Sequence, residues 1–118
     1  MTKLLQTFKP FDIIVIPFPF SDKLKQKKRP ALILSSESFN SRSQHLITAM
    51  ITSAKQSKWP LDTPIKDVAA AGLPLECLIR MKFFTVVQKM VTRTVGSLST
   101  SDRHRFVENL KLSLGIFC

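Results

Sequence analysis

The first regular stretch of the chain, Phe11 to Ile16, is rich in Ile and closes at Pro17, and a second apolar run, Ala31 to Leu34, opens after Pro30. Short β-branched runs bounded by proline predict buried strands. Leu46 to Thr52 predicts a third strand leading into the polar segment Ser53 to Lys58. Leu61 to Ile65 predicts a short edge strand, because Pro60 and Pro64 cannot donate to a ladder on which a central strand depends. Ala69 to Gly72 predicts one helical turn stopped by glycine, with Pro74 just beyond. Cys77 to Lys82, Phe84 to Val87 and Val91 to Val95 predict further strands.

From Ser99 the period changes. Phe106, Val107, Leu110 and Leu114 stack on one face at helical spacing, Ser99 or Ser101 can accept a hydrogen bond from a free first-turn N–H, and Asp102 places negative charge near the helix N-terminus. About five to seven short strands and one closing helix predict a mainly β, α+β fold, a small bent sheet or barrel with a C-terminal helix laid against it. No internal repeat, low-complexity tract or linker interrupts the pattern, so residues 1–118 are expected to form a single domain.

Composition narrows this further. At 118 residues, 44% hydrophobic and 22% charged, the chain can bury one core and lies far from the disordered corner of composition space. Its longest uncharged apolar run, Ile13 to Phe20, falls well short of the ~18 residues that suggest a membrane span. Met1 to Phe11 has no apolar stretch of a secretory signal, so a cytoplasmic location is expected, with Cys77 and Cys118 as free thiols. The outlying quantity is charge: 18 Lys and Arg against 8 Asp and Glu, net +10. That excess attracts polyanions, of which nucleic acid is the usual one for a soluble protein.

Several chemistries drop out. Three unclustered glycines leave no Walker loop, and closely spaced Cys and His ligands are missing, so neither a metal nor another cofactor is expected. His104 lies between Arg103 and Arg105 on the helix, a solvated position, and His45 stands just before the third strand. Trp59, the only tryptophan in a chain without tyrosine, is either a base-stacking platform with Pro60 or a packing anchor. Lys23, Lys25, Lys27, Lys28 and Arg29 put five cations within seven residues before Pro30. The four lysines belong to a loop that can sweep a phosphate backbone, whereas Arg29 sits where loop meets strand and its planar fork can be held in place. Thr52 and Ser53 end the third strand with adjacent hydroxyls. Arg80, inside the run Leu78-Ile79-Arg80-Met81, must face outward or pair with an anion, and Lys82 points the same way by alternation.

These residues resemble a known family. Asp12-Ile-Ile-Val-Ile-Pro-Phe-Pro-Phe-Ser-Asp22, a basic loop, Lys28-Arg29-Pro30-Ala31-Leu32-Ile33-Leu34, then Ile51-Thr52-Ser53 and Leu78-Ile79-Arg80, look like the MazF/PemK (Kid) toxins of bacterial type II toxin-antitoxin systems, over roughly Pro10 to Ile116. The resemblance implies an SH3-like, CcdB/MazF-type small barrel, a homodimer, and a metal-independent endoribonuclease (mRNA interferase) that cuts single-stranded RNA at a short sequence. It also implies a cognate antitoxin whose disordered tail fills the RNA groove. By position, Arg29, Thr52 and Arg80 match the family's catalytic residues. Ser53, Lys23, Lys25, Lys27, Lys28, Asp22 and Lys82 make the expected RNA-binding set. The chain departs from the pattern where Phe11 replaces the glycine before the first aspartate, which suggests a different turn. Lys82 replaces an aspartate after the arginine, and Lys23 to Lys28 holds no acid, which leaves Asp22 as the nearest carboxylate and the general base unnamed. Two other readings stay open: a non-cleaving RNA-binding module using the same groove, and a CcdB-like toxin acting through protein contact.

Overall fold

The computed structural model describes residues 7–17, 27–55 and 58–117. Among these residues six strands form one antiparallel sheet: β1 (Asp12–Pro17), β2 (Lys28–Ile33), β3 (His45–Ser53), β4 (Thr63–Ile65), β5 (Cys77–Val87) and β6 (Arg93–Ser97). Their spatial order is β4-β5-β3-β2-β1-β6, so the sheet curls into a half-barrel with β4 and β6 at its edges. The helices α1 (Glu37–Ser43), α2 (Val68–Ala71) and α3 (Thr100–Ser113) decorate it, and among the described residues no helix is long and apolar enough to cross a membrane.

Alternation along each strand divides the core in two. Ile13, Leu32, Ala49, Ile51, Cys77 and Ile79 point to one face, where Phe106 of α3 and Leu98 close over them. Ile14, Ile16, Ala31, Ile33 and Leu46 point to the other, together with Phe8 and the partly buried Met50 and Phe84. A strand can bury both faces only when something covers each, and here α3 covers the first.

The C-terminal helix starts as the sequence predicts, with Ser99 as N-cap accepting from the Asp102 N–H at 3.2 Å. Asp102 does more than complement the helix dipole. Its buried carboxylate accepts from the backbone N–H groups of Lys66 and Asp67 at 3.1 and 3.0 Å and pairs with Arg105, which ties the start of α3 to the segment after β4. Gly72 caps α2 at φ +72°, and Gly96 lets β6 lie against that helix, since a Cβ there would stand 2.4 Å from the Ala70 carbonyl oxygen.

Several boundaries differ from the pattern-based expectation, each for a local reason. The two runs Cys77 to Lys82 and Phe84 to Val87 are one strand, and the apparent break is a bulge: Ala49 pairs with Phe83 but Met50 pairs with Arg80. β2 starts at Lys28, three residues before Ala31, so Pro30 lies within it; β1 supplies its partner there, Val15. β6 runs two residues later than expected because Gln88–Met90 forms a 3-10 turn first. The expected edge strand shrinks to Thr63–Ile65, since Leu61 and Asp62 belong to a turn. Helix α1 has no counterpart in the hydrophobic pattern. Its sequence Glu-Ser-Phe-Asn-Ser-Arg-Ser carries no apolar stripe, and buried Asn40 holds it instead, donating to the Phe8 and Ser35 carbonyls at 2.9 and 3.1 Å while accepting from the Ser35 hydroxyl.

Candidate nucleic-acid interface

Arg29, Thr52, Arg80 and Lys82 collect on the second face of the sheet, away from α3, whereas Ser53 and Lys28, each one residue off in the alternation, take the first. Arg29 lies across from Ile16 and shares the side of Ala31 and Ile33, both members of that face's apolar cluster. Ala31 pairs with Met50, so Thr52, two residues further along β3, stands on the same side. The β2–β3 ladder ends at the Ala31–Met50 pair, next to Pro30, which has no N–H to donate. Arg29 and Thr52 lie two positions beyond that end on neighbouring strands, which in a sheet run about 4.8 Å apart. Arg29 is half-buried and makes no ion pair among the described residues.

β5 carries the rest of the group. Thr52 pairs with Leu78 and Met50 with Arg80, which sets Arg80 on the same side as Thr52 and Arg29. Arg80 is only 7% exposed, a burial that a guanidinium tolerates when its donors are met. Asp62 meets them in a fork-to-fork pair, Nε to Oδ1 at 3.1 Å and Nη2 to Oδ2 at 2.9 Å. Hydrogen bonding to Asp62 raises the Arg80 pKa above its ordinary value, burial opposes that rise and the Asp62 charge adds to it, so the group stays cationic at any working pH.

Asp62 reaches Arg80 from a tight turn. Its N–H donates to the Trp59 carbonyl at 3.3 Å, Pro60 takes the second place and Leu61 the third at φ +61°. A positive φ at the third position of a turn, directly after proline, is the mark of a type II turn, which glycine or asparagine would form without strain. The turn presents Trp59 to the cations of β5: the Lys82 Nζ stands 4.7 Å and the Arg80 Cζ 5.7 Å from the ring centroid. The alternation that puts Arg80 and Lys82 on one side is therefore realised around a shared aromatic ring.

Ser53, at the end of β3, accepts from the Lys55 N–H at 3.2 Å, which leaves its own O–H proton for another acceptor. Lys28 opens β2 as an exposed residue rather than belonging to the loop, and Lys27 precedes it, also exposed. Asp22, Lys23 and Lys25 lie outside the described residues. His45 is the first residue of β3 and its Nδ1 lies 2.9 Å from the Ser43 carbonyl, a local contact at the end of the sheet remote from Thr52. His104 is exposed on α3, on the opposite side of the molecule. Cys77 is a free, buried thiol whose pKa burial pushes up. Among the described residues no three His, Cys, Asp or Glu side chains are grouped as a metal ion requires.

Two features escaped sequence reasoning. Asp62 was not singled out, although an arginine within an apolar run signals a partner anion; eighteen residues separate the two, and only the pairing of β4 with β5 brings them together. Phe11 adopts φ +74°, the left-handed region that glycine favours, so the backbone here keeps a glycine-like turn and phenylalanine bears the strain. Backbone bonds hold it there, Phe11 N–H to Ile33 O at 2.8 Å and Leu98 N–H to Phe11 O at 3.0 Å, and the Arg103 guanidinium lies 5.1 Å from its ring centroid.

Comparison with known proteins matches this architecture. Residues 9–114 fit a family model described as a PemK-like, MazF-like toxin of type II toxin-antitoxin systems. No curated protein sequence matches the chain. Among solved structures, an endoribonuclease in complex with its cognate antitoxin from a mycobacterial species superposes with a TM-score of 0.73 at 12% identity, covering 94% of this chain and 96% of that one. MazF from Deinococcus radiodurans gives 0.72 at 14% identity over 93% and 98% of the two chains. The Mycobacterium tuberculosis toxin MazF-mt6 gives 0.69 at 20% identity over 86% and 94%. At such identities these structures establish the fold. The family match spans nearly the whole chain, which belongs to the PemK-like, MazF-like toxins of type II toxin-antitoxin systems.

Proposed function

We propose that the protein is a sequence-specific endoribonuclease that cuts single-stranded RNA without a metal ion, by attack of a ribose 2'-hydroxyl on the adjacent phosphate. The single observation that supports this most is the placement of Arg29 and Thr52 on one side of neighbouring strands, just past the end of their ladder. RNA brings its own nucleophile, so the protein has to align the 2'-oxygen with phosphorus, offset charge on the phosphoryl oxygens and let two protons move. Arg29 supplies the charge and Thr52 a hydrogen bond to a phosphoryl oxygen or to the 2'-hydroxyl. The 2'-hydroxyl loses its proton as its oxygen bonds to phosphorus, the bond to the 5'-oxygen breaks, and a proton goes onto that leaving oxygen, so one proton is removed and one supplied. The products are a 2',3'-cyclic phosphate and a 5'-hydroxyl.

Arg80 takes a different part from the one its position in the family pattern suggests. With Nε and Nη2 turned to Asp62, it contributes field and rigidity more than a mobile donor. That pair also favours a second reading, a non-cleaving RNA-binding module, in which the same face grips RNA but Arg29 drives no reaction. The net charge of +10 suits both, and equally suits a cognate antitoxin with an acidic segment laid over the same face of a homodimer. Cleavage separates the readings. Expression in bacteria is expected to stop growth, Arg29→Ala to restore it, and co-expression of the antitoxin to restore it as well; growth arrest that persists with Arg29→Ala at equal protein level would refute the nuclease reading.

A further inference from the structure

We propose that Trp59 is a stacking platform for an unpaired base of the bound nucleic acid, beside the phosphate held by Arg29 and Thr52. The inference rests on the ribonuclease reading and adds how that site holds its substrate.

Three observations carry it. A tryptophan that merely anchors a turn buries its ring, whereas Trp59 is 38% exposed while its turn is firmly fixed by Asp62, which grips Arg80 through two charge-assisted bonds. The turn is built at a cost. Leu61 sits at φ +61°, where a bulky side chain is disfavoured, and such strain persists only where surrounding contacts enforce it. What the strain achieves is to bring Asp62 to Arg80 and Trp59 to both Arg80 and Lys82 of β5.

Those residues lie on the side of the sheet that carries Arg29 and Thr52, Arg80 being two positions along β5 from the residue that pairs with Thr52. Cations at 4.7 and 5.7 Å from the ring centroid hold the indole in place. Lys82, exposed, can meet the phosphate next to a stacked base. An aromatic ring interleaved with cations is the arrangement that takes single-stranded nucleic acid without reading its sequence, because every base has a π face. Duplexes, whose bases are already stacked on each other, cannot use it.

Trp59 is the only tryptophan and tyrosine is absent, so the protein's intrinsic indole fluorescence reports on this one ring. The test titrates the whole protein with an end-labelled, mixed-sequence oligodeoxynucleotide, which lacks the 2'-hydroxyl and survives binding, and with an abasic strand of equal length and charge. Binding is followed by anisotropy of the label and stacking by quenching of Trp59. The base-bearing strand is expected to quench Trp59 and to bind about tenfold or more tightly than the abasic strand, which quenches nothing. Trp59→Ala should lose about tenfold in affinity for the base-bearing strand and nothing for the abasic one, with Trp59→Phe recovering most of the loss. Equal quenching by both strands, or binding of both without quenching, overturns the platform and leaves the nuclease reading standing. Failure of both strands to bind overturns both.

Discussion

The two faces of the sheet spend their polar groups in opposite ways. On the helix side the buried polar groups are turned inward to other parts of the protein: Asp102 holds two backbone N–H groups and Arg105, and Asn109 donates to the buried Thr63 hydroxyl at 2.9 Å. On the other side the apolar cluster around Ile14 and Ile33 gives way, past Pro30 and Met50, to Arg29, Thr52, Lys82 and Trp59, of which Arg29 makes no ion pair among the described residues. Arg80 stands between the two habits, charged and buried but satisfied by Asp62. The difference teaches where to look for function: a half-buried arginine that no ion pair among the described residues neutralises is placed to offer its donors outside the fold.

The sharpest way to break this contrast is to damage each face in turn and see whether stability and activity separate. Phe106→Ala empties the core under α3 and should cost about 3–5 kcal/mol of unfolding free energy, read from a urea midpoint, with cleavage per folded molecule unchanged. Arg29→Ala should do the reverse, lowering the cleavage rate about a hundredfold or more while shifting stability by less than about 0.5 kcal/mol. Asp62→Ala tests the residue between the two: loss of both bonds to Arg80 should cost about 2–3 kcal/mol of stability and loosen the Trp59 turn, so that stability and RNA affinity fall together. Lys82→Ala removes an exposed cation of the same face and should flatten the salt dependence of RNA binding by about 0.7 log units per decade, with the cleavage rate at saturation intact.

The smallest effect is expected at Cys77, whose thiol burial holds above its ordinary pKa. Because the folded value exceeds the unfolded one, the thiol's contribution is complete below the unfolded pKa and is lost as the pH climbs through the folded one. Wild type should therefore lose stability at alkaline pH slightly faster than Cys77→Ala, and native Cys77 should resist alkylation until the chain is unfolded.

Much of this was legible from residues. Short β-branched runs bounded by proline and the helical spacing of Phe106 and Leu110 mark the strands and α3, because those positions are the ones the fold buries. Arg29 and Thr52 were legible because a basic loop ending at Arg-Pro and a Thr-Ser strand end are local features. Helix α1 was not, since a single buried asparagine holds it rather than an apolar stripe. The Asp62–Arg80 pair was half legible: an arginine amid Leu78, Ile79 and Met81 announces that an anion exists but not which one, and the answer depends on a turn whose φ +61° at Leu61 no propensity favours. Phe11, likewise, looked like a change of turn and is instead a strained residue in the turn that glycine would have made.

The most direct test of the central claim compares two single-stranded RNAs of one cleaved sequence, all-ribose and with a single 2'-deoxy residue on the 5' side of the scissile phosphate, incubated with chelator and purified protein. The account predicts that the first is cut to a 2',3'-cyclic phosphate and a 5'-hydroxyl, that Arg29→Ala leaves it whole, and that the second binds without being cut. Cutting of the deoxy-substituted strand, or products ending in a 3'-hydroxyl and a 5'-phosphate, would contradict it.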